Sequence, residues 1–342
     1  MSIGVGIIGY GYWGPNLVRN FAELDGAELI IVGDLRRERL ELARKRYPKL
    51  AVTVHADEVI EDPRVDAVVI ATPVATHFDL ALKALKRGKH VWVEKPLAEN
   101  STQVCELISE ADERNLCLHV DHTFVYTPAI RKIKLLVEND ELGHINYYDS
   151  VRINLGLFQH DVNVFWDLAV HDLTIMDFIL PESPVAVSAT AMSHVKGQPE
   201  NTGYITLFFS GTMIAHIHVD WLAPVKIRRL LLSGSKKMVV FDDLEPSEKI
   251  RVYDKGITIT SSENPDYKMR IGYRSGDVWI PQLEIGEALA NEVAYFIRCI
   301  EKSERSLTDG RAGLRVIQIL EAVNESMKKM GQAVDLKPFD RS

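Results

Sequence analysis

Cysteine is nearly absent. Cys105, Cys117 and Cys299 are the only three in 342 residues, and no two stand at CxxC spacing. Neither a zinc ribbon nor a disulfide framework is indicated, and a reducing, cytoplasmic setting is expected. Long apolar runs are absent too, so no segment is expected to span a bilayer. The opening stretch "MSIGVGIIGYGYWG" has no basic n-region and is broken by glycines, which argues against a signal peptide. Positive charge is in deficit. Lys and Arg number 40 against 48 Asp and Glu, a net charge of −8, and no basic stripe is present. Nucleic acid and anionic membranes are thereby excluded as main partners. There is no internal repeat and no low-complexity tail.

The composition that remains is that of a globular protein, 46% hydrophobic and 26% charged. A chain of this length exceeds one core, so two domains are expected, 1–121 and 122–342. In the first, apolar strands alternate with amphipathic helices. "IGVGIIG", "AELIIVGD", "DAVVIATP", "HVWV" and "LCLHV" read as buried strands. "PNLVRNFAEL", "RRERLELARKRY", "THFDLALKALKRG" and residues 102–115 read as helices between them. Continuous apolar strands separated by helices imply a doubly wound parallel sheet covered on both faces.

The first strand–helix turn is "GYGYWG", with Gly9, Gly11 and Gly14, and Asp34 closes the next strand 20 residues past Gly14. In this context the glycines match a dinucleotide-binding turn. Gly9 permits the tight turn, Gly11 lets the backbone approach a pyrophosphate, and Gly14 brings helix and strand together. The helix N-terminus receives the negative charge. Asp34 would accept hydrogen bonds from the adenine ribose and repel a 2′-phosphate, so NAD is favoured over NADP. Arg36 and Arg37, just beyond it, could pair with such a phosphate but are read as a solvated first helical turn.

Further motifs accompany the turn: "ATPVATH" (71–77), "GKHVWVEKPLA" (88–98), "VDHTFVYTPAIRKIK" (120–134), "WDLAVHDL" (166–173) and "LTDGRAGLRVIQILEAVNES" (307–326). Together, and in this order, they resemble the glucose–fructose oxidoreductase/inositol dehydrogenase (Gfo/Idh/MocA) family across nearly the whole chain. The resemblance implies an N-terminal Rossmann domain and a C-terminal α+β domain with a large open, mostly antiparallel sheet. It implies hydride transfer between a nicotinamide cofactor and a sugar or cyclitol carbon. Tyr12, Trp13, Thr72, Pro73 and His77 are expected at the cofactor with the glycines and Asp34. Lys95 is implied to be catalytic, and the peptide before Pro96 to be unusual, with a cis bond among the forms open to it. Glu94 either holds the lysine or contacts the nicotinamide amide or ribose.

In the second domain, Asp167 and His171 are four residues apart in a helical stretch and share a face. The resemblance places this pair beside the lysine. Oxidising an alcohol sends a proton to a base, and histidine suits that near neutral pH. Lysine can serve if burial and nearby positive charge lower its pKa. Asp167 would orient the imidazole or hold a substrate hydroxyl. Asp172 is read as a cap or surface partner. Residues 152–164 read as a polar loop or bent strand, in which Arg152, Asn154, Asp161 and Asn163 are candidates for sugar hydroxyls. His122, at the domain junction, is a further substrate candidate.

Residues 185–260 read as antiparallel strands with two short hairpins. His216, His218 and Asp220 share one strand face, read as a polar sheet face and not a metal site. Such a sheet, covered by another subunit, predicts a homodimer or homotetramer. Residues 261–283 read as a substrate or interface loop, and residues 284–303 and about 309–330 as helices. "GYWGPN" and "DVNVFWDLAVHD" resemble the branch acting at C3 of nucleotide-linked amino sugars, such as UDP-N-acetylglucosamine, more than the free-inositol branch. An inositol or free-sugar dehydrogenase and a non-catalytic dinucleotide-binding regulator remain as alternatives. The intact Lys95, Asp167 and His171 count against the regulator.

Overall fold

A computed structural model describes residues 2–156, 162–261 and 269–339. These divide into two compact units. One runs to Thr127 and takes in Gly286–Gln318; the other comprises Pro128–Ile285 and Ile319–Phe339.

The first unit alternates as its pattern requires: β1 (Ile3–Ile8), α1 (Gly14–Glu23), β2 (Ala27–Gly33), α2 (Arg37–Arg46), β3 (Ala51–Thr53), α3 (Ala56–Glu61), β4 (Ala67–Ile70), α4 (His77–Lys86), β5 (His90–Glu94), α5 (Ser101–Glu113) and β6 (Leu118–Asp121). The strands form one parallel sheet in the order β3-β2-β1-β4-β5-β6. Strand order reverses between β1 and β4, and in such sheets ligands bind beyond the carboxyl ends at that point. Local chemistry sets the helix ends. Pro15 lies in the first turn of α1, where a missing N–H costs nothing. Asn100 caps α5 by accepting from the Gln103 N–H at 3.0 Å.

The second unit opens with α6 (Pro128–Glu138) and the long strand β7 (Ile145–Leu155). A π-helical turn, Phe165–Ala169, runs into α7 (Val170–Ile179). Then come β8 (Ala186–Met192), β9 (Thr202–Phe208), β10 (Ile214–Asp220), β11 (Leu222–Gly234), β12 (Met238–Asp242), β13 (Ile250–Tyr253), β14 (Gly256–Ser261), β15 (Met269–Arg274) and β16 (Val278–Trp279). After them lie α8 (Ala288–Lys302), α9 (Gly310–Lys328) and β17 (Val334–Asp335). The large sheet has the order β16-β13-β12-β11-β7-β10-β9-β8-β17. Only its β7–β10 pairing is parallel. Both expected hairpins, β9–β10 and β11–β12, are present. Along β10, Ala215, Ile217 and Val219 are buried, and Tyr204 of β9 stacks on His218 of the opposite face at 4.4 Å. The 261–283 stretch, expected as a loop, contains β15 and β16; β15 pairs with β14 in a separate two-stranded sheet. Among the described residues no helix is long and apolar enough to cross a membrane.

The core of the first unit is completed from far along the chain. Leu289, Val293, Phe296 and Ile297 of α8 pack with Val5, Leu17, Phe21 and Trp92. The Trp92 ring meets Phe21 and Phe296 edge-on, at 5.7 and 5.4 Å between centroids. Both arrangements suit the quadrupoles of aromatic rings.

Candidate active site

The glycine turn is built so that only glycine fits two of its positions. Gly9 has φ +104°, and a Cβ there would lie 2.2 Å from the Ala71 carbonyl oxygen. At Gly14 a Cβ would lie 2.2 Å from the Gly9 carbonyl oxygen. The turn is thus pressed between the end of β4 and the start of α1. Tyr12 stands 85% exposed, and the Trp13 indole N–H donates to Asp121 Oδ2 at 3.3 Å.

Asp34, at the end of β2, is buried, and both of its oxygens are engaged. Oδ1 accepts from the Arg36 N–H at 2.9 Å and from Arg36 Nε at 3.1 Å. Oδ2 accepts from the Tyr10 N–H at 2.8 Å and from Arg36 Nη2 at 3.2 Å. Burial pushes this carboxyl upward, but the bonds from Arg36 and the two backbone N–H groups outweigh it. Its pKa falls below the usual carboxylate value. Arg36 is therefore an ion-pair partner of Asp34 while remaining exposed, as its reading as a solvated side chain expects.

The "ATP" and "EKP" turns lie at the carboxyl ends of the adjacent strands β4 and β5. His77 ties them together: Nδ1 lies 2.8 Å from the Pro96 carbonyl oxygen and Nε2 2.8 Å from that of Thr72. His77 is fully buried, and burial lowers its pKa. The Thr72 hydroxyl bonds that of Thr76 at 2.7 Å, and Thr76 donates to the Pro73 carbonyl. The Lys95–Pro96 peptide is cis.

Around Lys95 lies a patch of buried titratable groups. Glu94 pairs in register with Asp121 of β6, and its Oε1 is buried without a hydrogen-bond partner among the described residues. Burial, then the neighbouring charge of Asp121 and a bond to it, raise the Glu94 pKa well above normal. Glu292 of α8 accepts from the His122 N–H at 3.1 Å, and the same oxygen lies 3.1 Å from His119 Nε2. Burial and the Asp121 and Glu94 charges raise its pKa as well. Burial and the Lys95 ammonium push His122 down to about 3. Burial thus disfavours the charged forms of Glu94, Glu292 and His122 alike.

In the second unit, Asp167 lies in the π-helical turn and His171 in the first turn of α7; both are partly exposed. Single π turns recur at functional sites. The Trp221 indole N–H donates to Asp167 Oδ2 at 3.0 Å. Asn163 is drawn into the backbone. Its Oδ1 accepts from the Phe165 and Trp166 N–H groups, and its amide donates to Asn324 at 3.2 Å. That is a helix cap, which its residue type and position could have disclosed. Asn154 is partly buried on β7, and Asp161 lies outside the described residues. Asp172, expected as a cap or surface partner, is instead buried beneath β7. Ser150 Oγ donates to it at 2.6 Å and Arg152 Nε at 2.7 Å, while Tyr148 Oη donates to its backbone carbonyl at 2.9 Å. Arg152 is 4% exposed.

A cavity of about 310 Å³ lies at the other, amino ends of β5 and β6, lined by Cys117, Cys299, Arg305 and Arg311 among others. The two arginines pair with Asp309 and Asp112, and both cysteines are free thiols although 182 residues separate them in sequence.

Residues 3–122 match the NAD-binding Rossmann domain of an oxidoreductase family, and residues 130–240 match the Gfo/Idh/MocA C-terminal domain. The chain belongs to the Gfo/Idh/MocA family. It is similar to scyllo-inositol 2-dehydrogenase (NAD⁺) of Bacillus subtilis, 30% identical over 54% of this chain and 55% of that one. It is also similar to UDP-N-acetylglucosamine 3-dehydrogenase of Acidithiobacillus ferrooxidans, 28% identical over 91% and 93%. Its fold is that of levoglucosan dehydrogenase in complex with NADH and levoglucosan, with TM-score 0.84, 21% identity and coverage of 99% and 100%. As a Gfo/Idh/MocA oxidoreductase the chain binds NAD, and the turn fits it. Gly9 and Gly14 leave no room for a Cβ, and the buried carboxylate of Asp34 follows directly on β2.

Proposed function

We propose that the protein oxidises or reduces a sugar carbon, a CH–OH group and its ketone, with NAD. The position of Lys95 carries this. It ends β5, one strand from the reversal point between β1 and β4, in the same unit as the glycine turn and Asp34. A bound nicotinamide supplies the hydride acceptor or donor. The chain's own groups do the rest. The glycine turn and the N-terminus of α1 receive pyrophosphate. Asp34 holds the adenine ribose, and His77 fixes the turns that carry Thr72 and Lys95. Lys95 and His171 hold and pass the carbinol proton, with Asp167 orienting the imidazole.

The substrate we infer is a nucleotide-linked amino sugar reacting at C3, with UDP-N-acetylglucosamine as the representative. The A. ferrooxidans enzyme supports this, because its similarity runs through both domains. Inositol is the second reading, favoured by the B. subtilis relative's higher identity over a shorter span. The open sheet of the second unit is assigned to self-association as a dimer or tetramer.

NADH formation from NAD and a panel holding UDP-N-acetylglucosamine, its uronic acid, inositol and glucose tests the proposal. Turnover confined to a nucleotide sugar supports it, and turnover with inositol alone moves the protein to the second reading. Lys95→Ala should abolish turnover while NADH still binds. Retained turnover in that variant removes Lys95 from the chemistry.

A further inference from the structure

Asp121 ends β6 and is buried, and the proton chemistry described above does not use it, yet three side chains converge on it. Its Oδ2 accepts from the Trp13 indole N–H at 3.3 Å and its Oδ1 from the Thr123 hydroxyl. Glu94, its register partner on β5, is hydrogen-bonded to it. Two carboxyl groups bond in this way only when one of them keeps a proton. The backbone just beyond is fixed as well, because Glu292 accepts the His122 N–H. Two acids side by side on neighbouring strands are unfavourable, since each opposes the other's charge. Their pairing at this strand end therefore points to something other than stability.

The span of the Trp13 bond says what. Trp13 belongs to the turn after β1, and the sheet order puts β4 and β5 between β1 and β6. At the usual strand spacing β1 and β6 lie about 14 Å apart. The link from Trp13 to Asp121 therefore passes over the carboxyl ends of β4 and β5, where such sheets bind their ligands. Lys95 follows β5 directly at that end. We propose that Asp121 is a positioning residue for hydride transfer. One of its oxygens holds the Trp13 indole across the crevice, and the same carboxyl holds Glu94 beside Lys95. The glycine turn and the turn that carries the lysine are thereby tied to one group. The indole is flat and only partly buried, so it offers an aromatic wall to the nicotinamide end of the cofactor.

The inference rests on dinucleotide binding at the glycine turn and on the role proposed for Lys95. Two probes test it: NADH, titrated by fluorescence, and ADP, titrated by calorimetry, which reaches the glycine turn without a nicotinamide. Asp121→Ala removes the anchor, and Trp13→Phe keeps a ring but loses the N–H. Each should weaken NADH by about tenfold while ADP stays within about twofold, the scale of one hydrogen bond to a charged group. Each should also lower kcat, on whichever sugar turns over, by about tenfold or more. Asp121→Asn keeps one accepting oxygen and should fall between. The double variant should be no worse than Asp121→Ala alone, because both changes cut one bond. Equal losses of NADH and ADP, an unchanged NADH/ADP ratio with a lowered melting temperature, or additive effects overturn the proposal. Turnover retained by Lys95→Ala is a separate result that refutes the lysine's role. If the unsubstituted protein binds neither probe, the assignment of the glycine turn fails and the proposal fails with it.

Discussion

At the scale of single residues, the turn at Gly9 and the pair Arg152–Asp172 make opposite kinds of demand. Gly9 is needed because nothing else fits. An L-residue at φ +104° is strained, by about 1–3 kcal/mol, and a methyl group would strike the Ala71 carbonyl. Gly9→Ala should lower the melting temperature and weaken NADH by more than about tenfold, read by a thermal melt and a fluorescence titration. Unimpaired binding would show that the turn does not approach the cofactor. Arg152 and Asp172 are needed because each answers the other. Truncating one partner of a buried pair leaves an uncompensated charge, at about 3–5 kcal/mol. Asp172→Ala should therefore destabilise by about that amount, and replacing both residues by apolar ones should recover much of it. Denaturant melts of the single and double variants decide this. If Arg152→Gln raised KM with no loss of stability, the arginine would belong to the substrate.

At the scale of elements, most of the alternation of the first domain was legible because apolar strands and amphipathic helices have different periods, while the short β3 and α3 went unread. β7 was not, and the reason is specific. Its buried face presents Tyr148, Ser150 and Arg152, and this polar row reads as a surface or loop until Asp172 of α7 is seen to satisfy it. The helix that carries His171 was legible, whereas the π turn that holds Asp167 left no mark in the pattern. Asn163 was one of four candidates for sugar hydroxyls, and it stands where a cap stands. For α8 the sequence showed an apolar stripe but not what the stripe covers. That helix supplies Phe296 to Trp92 and Glu292 to His119, so residues 1–127 lack part of their own core. Phe296→Ala should cost about 3–5 kcal/mol. A fragment ending at Thr127 should fail to give a cooperative melt unless residues 286–318 are joined to it. A cooperative transition from the short fragment alone would refute this account. Within the first unit, Asn100→Ala should cost about 1 kcal/mol through loss of the α5 cap.

At the scale of the whole molecule, the buried groups set how stability varies with pH, and two sets pull in opposite directions. His77, His90, His119 and His122 all have lowered pKa values, chiefly through burial, with His122 at about 3. Unfolding returns them to about 6.5, so below that pH the unfolded chain binds protons that the folded chain does not. Their contribution is present above 6.5 and lost as pH falls. Glu94 and Glu292 behave inversely, since their raised values mean that the folded chain keeps protons the unfolded chain has released. Their contribution is full below about 4.3 and lost as pH rises toward their folded pKa values. Between these limits the two sets oppose one another, the histidines making stability climb toward about pH 6.5 and the glutamates making it fall. Above that the histidines are silent, and stability declines for as long as Glu94 or Glu292 keeps a proton that the unfolded chain has released, with the raised thiols of Cys117 and Cys299 acting in the same direction toward pH 9. Denaturant melts of the cofactor-free protein from pH 4 to pH 9 should therefore show an acid limb set by the histidines and an alkaline limb set chiefly by the glutamates. Glu292→Gln keeps a hydrogen-bonding side chain but does not titrate, so it should flatten the alkaline limb. A plateau from 6.5 to 9 in the unsubstituted protein would mean that Glu94 and Glu292 are ionised in the fold. Lys95 would then stand beside the negative charge of Glu94.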